Sequence, residues 1–408
     1  MLPLQQMDAH TRKNASSVRF AFKTGLAFRP FFWLGTVFLL LSFVLWSAFW
    51  QGTAWVSPYG GMIWWHQHEM LFGFTAAIVT GFLMTAVQSW TGLPSVKGGP
   101  LWLLVALWAL ARLLLLFPAQ IPPALVLALD VAFLPLVALL MGRMVVQAKR
   151  WRNLVFIPIL LLFTVANAGS HWGAMTHDTA LIQQSSYLAI WVVLSLIIIL
   201  GGRVIPFFTA RALGVEITAP ARWREQLVVA SALGVCLVFL LGLFGVVVSK
   251  GVLALLLAVM VFFNMWRWMS WKLNLSWHQP LLWGLHLSYL FVMLGALLWL
   301  LSLWGLIPVD YALHLLTING ILGMILAMIA RVSLGHTGRP IKALPGLSAA
   351  LIAVFLAGLI RGLMLWVWPS AALGAYHSSL LLVILAYAWF VALYTVPLWA
   401  TRADGRPG

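Results

Sequence analysis

The feature that most restricts this chain is the succession of long apolar runs along its 408 residues. Runs such as Phe31 to Trp50 and Leu227 to Val248 reach the roughly 20 residues an α-helix needs to cross a hydrocarbon core of about 30 Å. Read between turn and charge signals, the spans fall at 31–50, 67–89, 101–117, 121–142, 154–172, 183–202, 227–248, 251–266, 281–304, 309–330, 347–368 and 372–399. Twelve such spans predict an all-α integral membrane protein, a polytopic bundle whose backbone polar groups are satisfied within helices because lipid offers them no partner. Only 8% of the residues are charged, against about a quarter in a soluble domain, so a soluble fold is excluded. The loops are too short to hold a soluble domain. The chain therefore reads as a single polytopic domain over 1–408, with an N-terminal segment at 1–29, the transmembrane bundle at 30–400 and a tail at 401–408. The polar start lacks the short apolar core and small-residue cleavage site of a secretory signal, and no removal is expected.

Charge then sets orientation. With the N-terminus cytoplasmic, the inner side receives nearly all the lysines and arginines, from Arg12 and Lys13 through Arg203, Arg331 and Arg406, and the outer side only Lys250. That asymmetry predicts both termini inside and an even span count. The net charge of +16 is accounted for by anionic lipid, and no nucleic-acid partner is expected. Many of the 24 tryptophans fall near span ends, as an interfacial belt requires. The single cysteine, Cys236, lies inside an apolar run, so metal chemistry has to rest on histidine.

Two arginines, Arg112 and Arg361, remain inside spans. Each costs at least ~2.5 kcal/mol in hydrocarbon, so each should face a partner or a cavity. A weak internal repeat points to the same layer. The second span carries His66-Gln67-His68-Glu69 near its outer start and the tenth carries His314; His68 to Thr91 and His314 to Thr337 are both 23 residues, and each span is followed by one holding a buried arginine. This spacing puts His68 and His314 at equal depth as partners, with Arg112 and Arg361 in the same layer. Two imidazoles with two guanidinium groups match what a bis-histidine haem uses, axial nitrogens for iron and cations for its propionates. His66 and His68, two positions apart, point to different faces and so to different partners. Glu69, three residues after His66, is placed to orient it, and His66 with other outer histidines is a copper candidate. His171, His177 and His377 read singly as ordinary interfacial residues, and Asp130 as a lone buried carboxylate. An inner group of His286 and His336 with Arg203 and Arg331 reads either as a second metal centre or as an anion- or proton-handling patch. No Walker phosphate loop, nucleotide fingerprint or His-Glu-x-x-His occurs.

Several pieces of this sequence resemble the NnrS family of bacterial haem- and copper-containing membrane proteins linked to nitric oxide and nitrosative stress. They are Trp65-His66-Gln67-His68-Glu69-Met70, Gly81-Phe82-Leu83-Met84 through Trp90-Thr91-Gly92, Gly201-Gly202-Arg203-Val204-Ile205-Pro206, Leu285-His286-Leu287-Ser288-Tyr289, His314-Leu315-Leu316-Thr317 and Arg331-Val332-Ser333-Leu334-Gly335-His336. The resemblance implies a twelve-span protein holding haem, expected to be b-type, and copper. It supports His66, His68, His286, His314 and His336 as metal candidates. It also implies nitric oxide or a related small molecule as ligand, and a respiratory or electron-donor partner. Turnover, sensing and handling of a metal–nitrosyl species are all compatible with it. The alternative from another class is a transporter of copper, haem or a small solute.

Overall fold

The computed structural model describes residues 25–118 and 121–405. Most of the expected N-terminal segment and the last residues of the tail lie outside the described residues. Among the described residues twelve helices are long and apolar enough to cross a membrane: α1 Phe28–Trp50, α2 Gly61–Thr91, α3 Gly98–Leu116, α4 Pro123–Gln147, α5 Trp151–Thr176, α6 Thr179–Leu213, α7 Arg222–Leu243, α8 Lys250–Met269, α9 Pro280–Ser302, α10 Val309–His336, α11 Leu347–Val367 and α12 Pro369–Trp399. Every expected span corresponds to one of them. The largest differences have local causes. α2 starts six residues before the expected 67 because Trp64 and Trp65 are buried. α6 runs on past Gly201-Gly202 and Pro206 to a left-handed Gly214, since Ile205 and Thr209 are still buried there.

Consecutive helices pack against each other, and the chain closes on itself where α12 packs on α1. The helices group as α1–α4, α5–α8 and α9–α12, joined by the contacts of α4 with α5 and α8 with α9. The second helix of each group, α2, α6 and α10, is among the three most buried of the twelve.

These three helices, with Phe32 of α1, line a half-open apolar cavity of about 80 Å³, and the three do so in register. α2 contributes Thr75, Ile78, Val79, Phe82 and Leu83; α6 contributes Val193, Leu196, Ile197, Leu200 and Gly201; α10 contributes Ile321, Met324, Ile325, Met328 and Ile329. Each set follows the same i, i+3, i+4, i+7, i+8 pattern of one helix face, and the sets are offset by 118 (193 − 75) and 128 (321 − 193) residues. The same offsets relate Thr91, Thr209 and Thr337, whose hydroxyls each donate to the carbonyl four residues earlier, at 2.7, 2.9 and 2.6 Å. The repeat is therefore threefold. Its middle copy is hidden in the sequence because Ser186 stands in α6 where α2 and α10 carry His68 and His314.

Immediately after those two histidines both helices widen into π-helical turns, Glu69–Thr75 and Leu315–Leu322, and a third such turn, Ile360–Met364, contains Arg361. Such turns appear often at functional sites because they re-aim side chains that a regular helix would stack.

Candidate metal centre

Two neighbourhoods form at the ends of α2, α4, α8, α10 and α12 where these helices begin, here called the histidine end. They separate His68 from His66.

His68 is buried and belongs to a polar network drawn from four helices. Its Nδ1 lies 3.1 Å from Glu69 Oε1, and its Nε2 2.8 Å from Asn167 Oδ1 and 3.2 Å from Asp130 Oδ2. Asn167 donates its amide N–H to Asp130 Oδ2 at 2.8 Å, which fixes the amide so that its oxygen faces His68. Both ring nitrogens of His68 thus face side-chain oxygens that can accept a hydrogen bond. Arg112 of α3 bridges the two carboxylates, at 3.1 Å to Glu69 Oε2 and in a short contact with Asp130 Oδ1. His171 Nε2 donates to Asp130 Oδ2 at 3.1 Å. Two carboxylates share one guanidinium and lie against two imidazoles, so each buried charge has a partner, as burial in a low-dielectric interior demands. Gly73 makes room for the network, because a Cβ there would overlap Glu69 and crowd Arg112. The Trp64 ring stacks on His68 at 4.5 Å, and its N–H is held by Ser170. Tyr59 closes the network toward the loop, its ring 5.8 Å from that of His171; burial raises its phenol above the ordinary value, so it remains a protonated group.

His68, Asp130 and His171 also form the one group of three metal-capable side chains found among the described residues, their ligand atoms within 4.8 Å of one another. A metal ion there would be held by two imidazole nitrogens and one carboxylate, a donor set that suits a transition metal. His171 Nδ1 is buried without a hydrogen-bond partner.

His66 faces the other way. Its ring stacks on Trp46 of α1 at 4.1 Å and 9°, and its Nδ1 is buried with no hydrogen-bond partner. Its charged neighbours are His314 of α10 and Arg361 of α11, and Arg361 also stands beside His314. His314 donates Nδ1–H to the Asp310 carbonyl at 2.7 Å, which leaves its Nε2 as a free lone pair. This is the tautomer and ring fixation seen in metal-ligating histidines. Arg361 lies over the Tyr376 ring at 4.1 Å, and Tyr376 stacks on Trp50 at 5.6 Å. Two imidazoles with available nitrogens and a guanidinium nearby are the residue types that suit a metal ion with an anionic partner.

A family model described as NnrS protein matches residues 24–402. The chain belongs to the NnrS family. No curated protein matches it. Family membership and the buried His–Asp–His group fit a metal-binding, multi-pass membrane protein.

Several expectations for this NnrS-family chain are corrected by the geometry. The charged neighbours of His66 include His314, whereas His68 is taken up by the network of α3, α4 and α5. Glu69 serves His68 and Arg112 instead of His66, the buried guanidinium being its stronger partner. Arg112 is committed to two carboxylates, which leaves Arg361 as the cation available to an anionic group at the histidine pair. Asp130 is not alone but the hub of the network, and His171 is one of its members. A local signal existed for them: Asn167, Ser170 and His171 share one face of α5 at i, i+3 and i+4.

At the opposite end, His286 is fully buried, with Nε2–H donated to Thr209 Oγ1 at 2.9 Å and Nδ1 without a partner. His336 sits instead against the Phe28 ring at 5.5 Å, and its carbonyl accepts from Arg402. Arg203 and Arg331 orient neither histidine. Arg203 donates to Asn153 Oδ1 at 3.1 Å over the Phe156 ring, and Arg331 lies over Phe208 at 4.2 Å. The Gly201-Gly202 pair is explained by Tyr289 and Arg267, which occupy the space a Cβ would fill at either glycine. Arg267 is held there by Glu225 at 3.0 Å and by Asn264 and Tyr289.

Proposed function

We propose that this is a haem- and copper-containing protein of the bacterial inner membrane that protects against nitric oxide or nitrosative stress. It acts by ligand binding or redox chemistry at a buried, histidine-ligated centre. The observation that carries the reading is the His66–His314 pair, two imidazoles from different four-helix groups with unpartnered nitrogens beside Arg361. His66 and His314 would hold the haem iron, and Arg361 would pair with an anionic group of the haem. When bound, haem would supply redox and ligand-binding chemistry at that place. His68, Asp130 and His171 would hold copper, for which imidazole with carboxylate is a suitable donor set. The chain's own residues fix the imidazole rings, His314 through the Asp310 carbonyl and His66 through the Trp46 face.

The crowding of lysine and arginine at the end opposite the histidines supports a cytoplasmic position for that end and for both termini. The whole chain then acts as one membrane unit, with its metal layer near the outer leaflet. Nitric oxide or a related small molecule is the proposed ligand, and an electron donor approaches from the outer side.

The test is the visible spectrum of detergent-purified protein, oxidised and then reduced with dithionite, with iron and copper determined on the same sample. A Soret band that shifts on reduction, with about one iron per chain, is expected. A colourless, metal-free protein after expression with adequate haem and copper would overturn the reading. Copper, haem or solute flux in vesicles would then favour a transporter.

A further inference from the structure

We infer that the cavity between α2, α6 and α10 is a binding site for a small apolar gas molecule, placed on the path from the lipid to the metal layer. The inference about the gas site stands on the cavity itself; the path deepens the proposed function and rests on it.

The lining decides the chemical class. Of the side chains facing the cavity only Thr75 carries an oxygen, and its hydroxyl is already donated to the Met70 carbonyl at 2.7 Å. The helix backbones satisfy their own polar groups, so a water inside would find none of the two to four partners it needs. Apolar cavities of this kind stay dry and take up xenon or small hydrocarbons. At about 80 Å³ the space admits a diatomic molecule and is too small for a solute with a hydration shell.

Position gives it a purpose. Thr75 and Ile321, the first lining residues of α2 and α10, each come seven residues after His68 and His314. At 1.5 Å per residue the cavity therefore begins about 10 Å from the histidine layer. Both intervening segments are the π-helical turns. An apolar gas partitions into the hydrocarbon core in preference to water. A cavity at this depth, walled by Val79, Ile197 and Ile325, therefore draws from the membrane and delivers toward His66 and His314. Register on three repeated helices makes the space a product of the fold, not of one poorly packed side chain.

Crystals of the purified full-length protein exposed to xenon under pressure test the site directly. One xenon is expected between Val79, Ile197 and Ile325, and it should vanish in Ile197→Phe and in Ile325→Phe. Two variants on different helices guard against one that does not fold. No xenon in the cavity at a pressure that fills other apolar sites, or ordered water or a lipid chain there, overturns the proposal. Xenon binding needs no metal, so a xenon-positive protein without haem would sink the proposed function and keep the gas site. For the path, stopped-flow nitric oxide binding should be at least several-fold slower in Ile197→Phe at unchanged haem content and spectrum. An unchanged rate would remove the path.

Discussion

His66 and His68 lie two residues apart on one helix and live in opposite electrostatic situations. His68 has both nitrogens matched to side-chain oxygens within a network of Glu69, Arg112, Asp130, Asn167 and His171. His66 has a stacked ring, a buried nitrogen without a partner and another histidine for a neighbour. A saturated buried group holds a structure together; an unsaturated one, whose desolvation costs about 1–3 kcal/mol with nothing in return from the protein, marks where something else is to be bound. The difference predicts that substitutions in the two places fail in different ways.

The largest effect should come from Asp130→Ala. Removing the hub leaves Arg112 half-paired and His68 without one of its oxygen partners, and breaking a buried ion pair on one side costs about 3–5 kcal/mol. Thermal unfolding in detergent should drop sharply, and the yield of folded protein with it. An Asp130→Ala protein as stable as the parent would mean that the network is not closed as described. Next, His66→Ala and His314→Ala should each abolish iron retention while leaving unfolding within a few degrees of the parent. Full haem in both variants would remove the pair from the site. His171→Ala sharpens the contrast: copper should fall with iron retained, and loss of iron instead would exchange the two assignments. Arg361→Gln should weaken haem retention by about 10- to 100-fold, as removal of supporting partners around a metal does, with Arg361→Lys recovering part of it. The smallest effect belongs to Trp46→Leu. Losing the stack on His66 removes about 0.5–1.5 kcal/mol of ring contact, read as a small shift of the Soret band or the midpoint potential.

Much of the fold was legible before any coordinates. Each span was readable because crossing a membrane imposes a length and an apolar composition that survive any detail of packing. The separation of His66 from His68 was also legible, since positions i and i+2 of a helix cannot face one neighbour. The two-copy repeat was visible through the matched spacings from His68 and His314 to Thr91 and Thr337. Its third copy was not, because Ser186 and the helical Ala210-Arg211-Ala212 of α6 stand in place of the residues that gave the other copies away. The Asp130 network was missed for a related reason. Its members are scattered from Glu69 to His171 over four helices, and the one local pattern, Asn167, Ser170 and His171 on a face of α5, does not name its partners on the other three.

The sequence by itself determined that the chain spans a bilayer twelve times, that its basic residues gather at one end, and that its metal chemistry rests on histidine. These follow from hydropathy, charge and residue type, which act on each segment alone. Only the tertiary structure decided that His314 neighbours His66, that Arg112 is spent on two carboxylates, and that α2, α6 and α10 line one cavity. Partner choice among buried polar groups is settled by which helices pack together. A guanidinium or imidazole in an apolar interior pairs with the nearest opposite charge the packing supplies, whatever its place in the sequence.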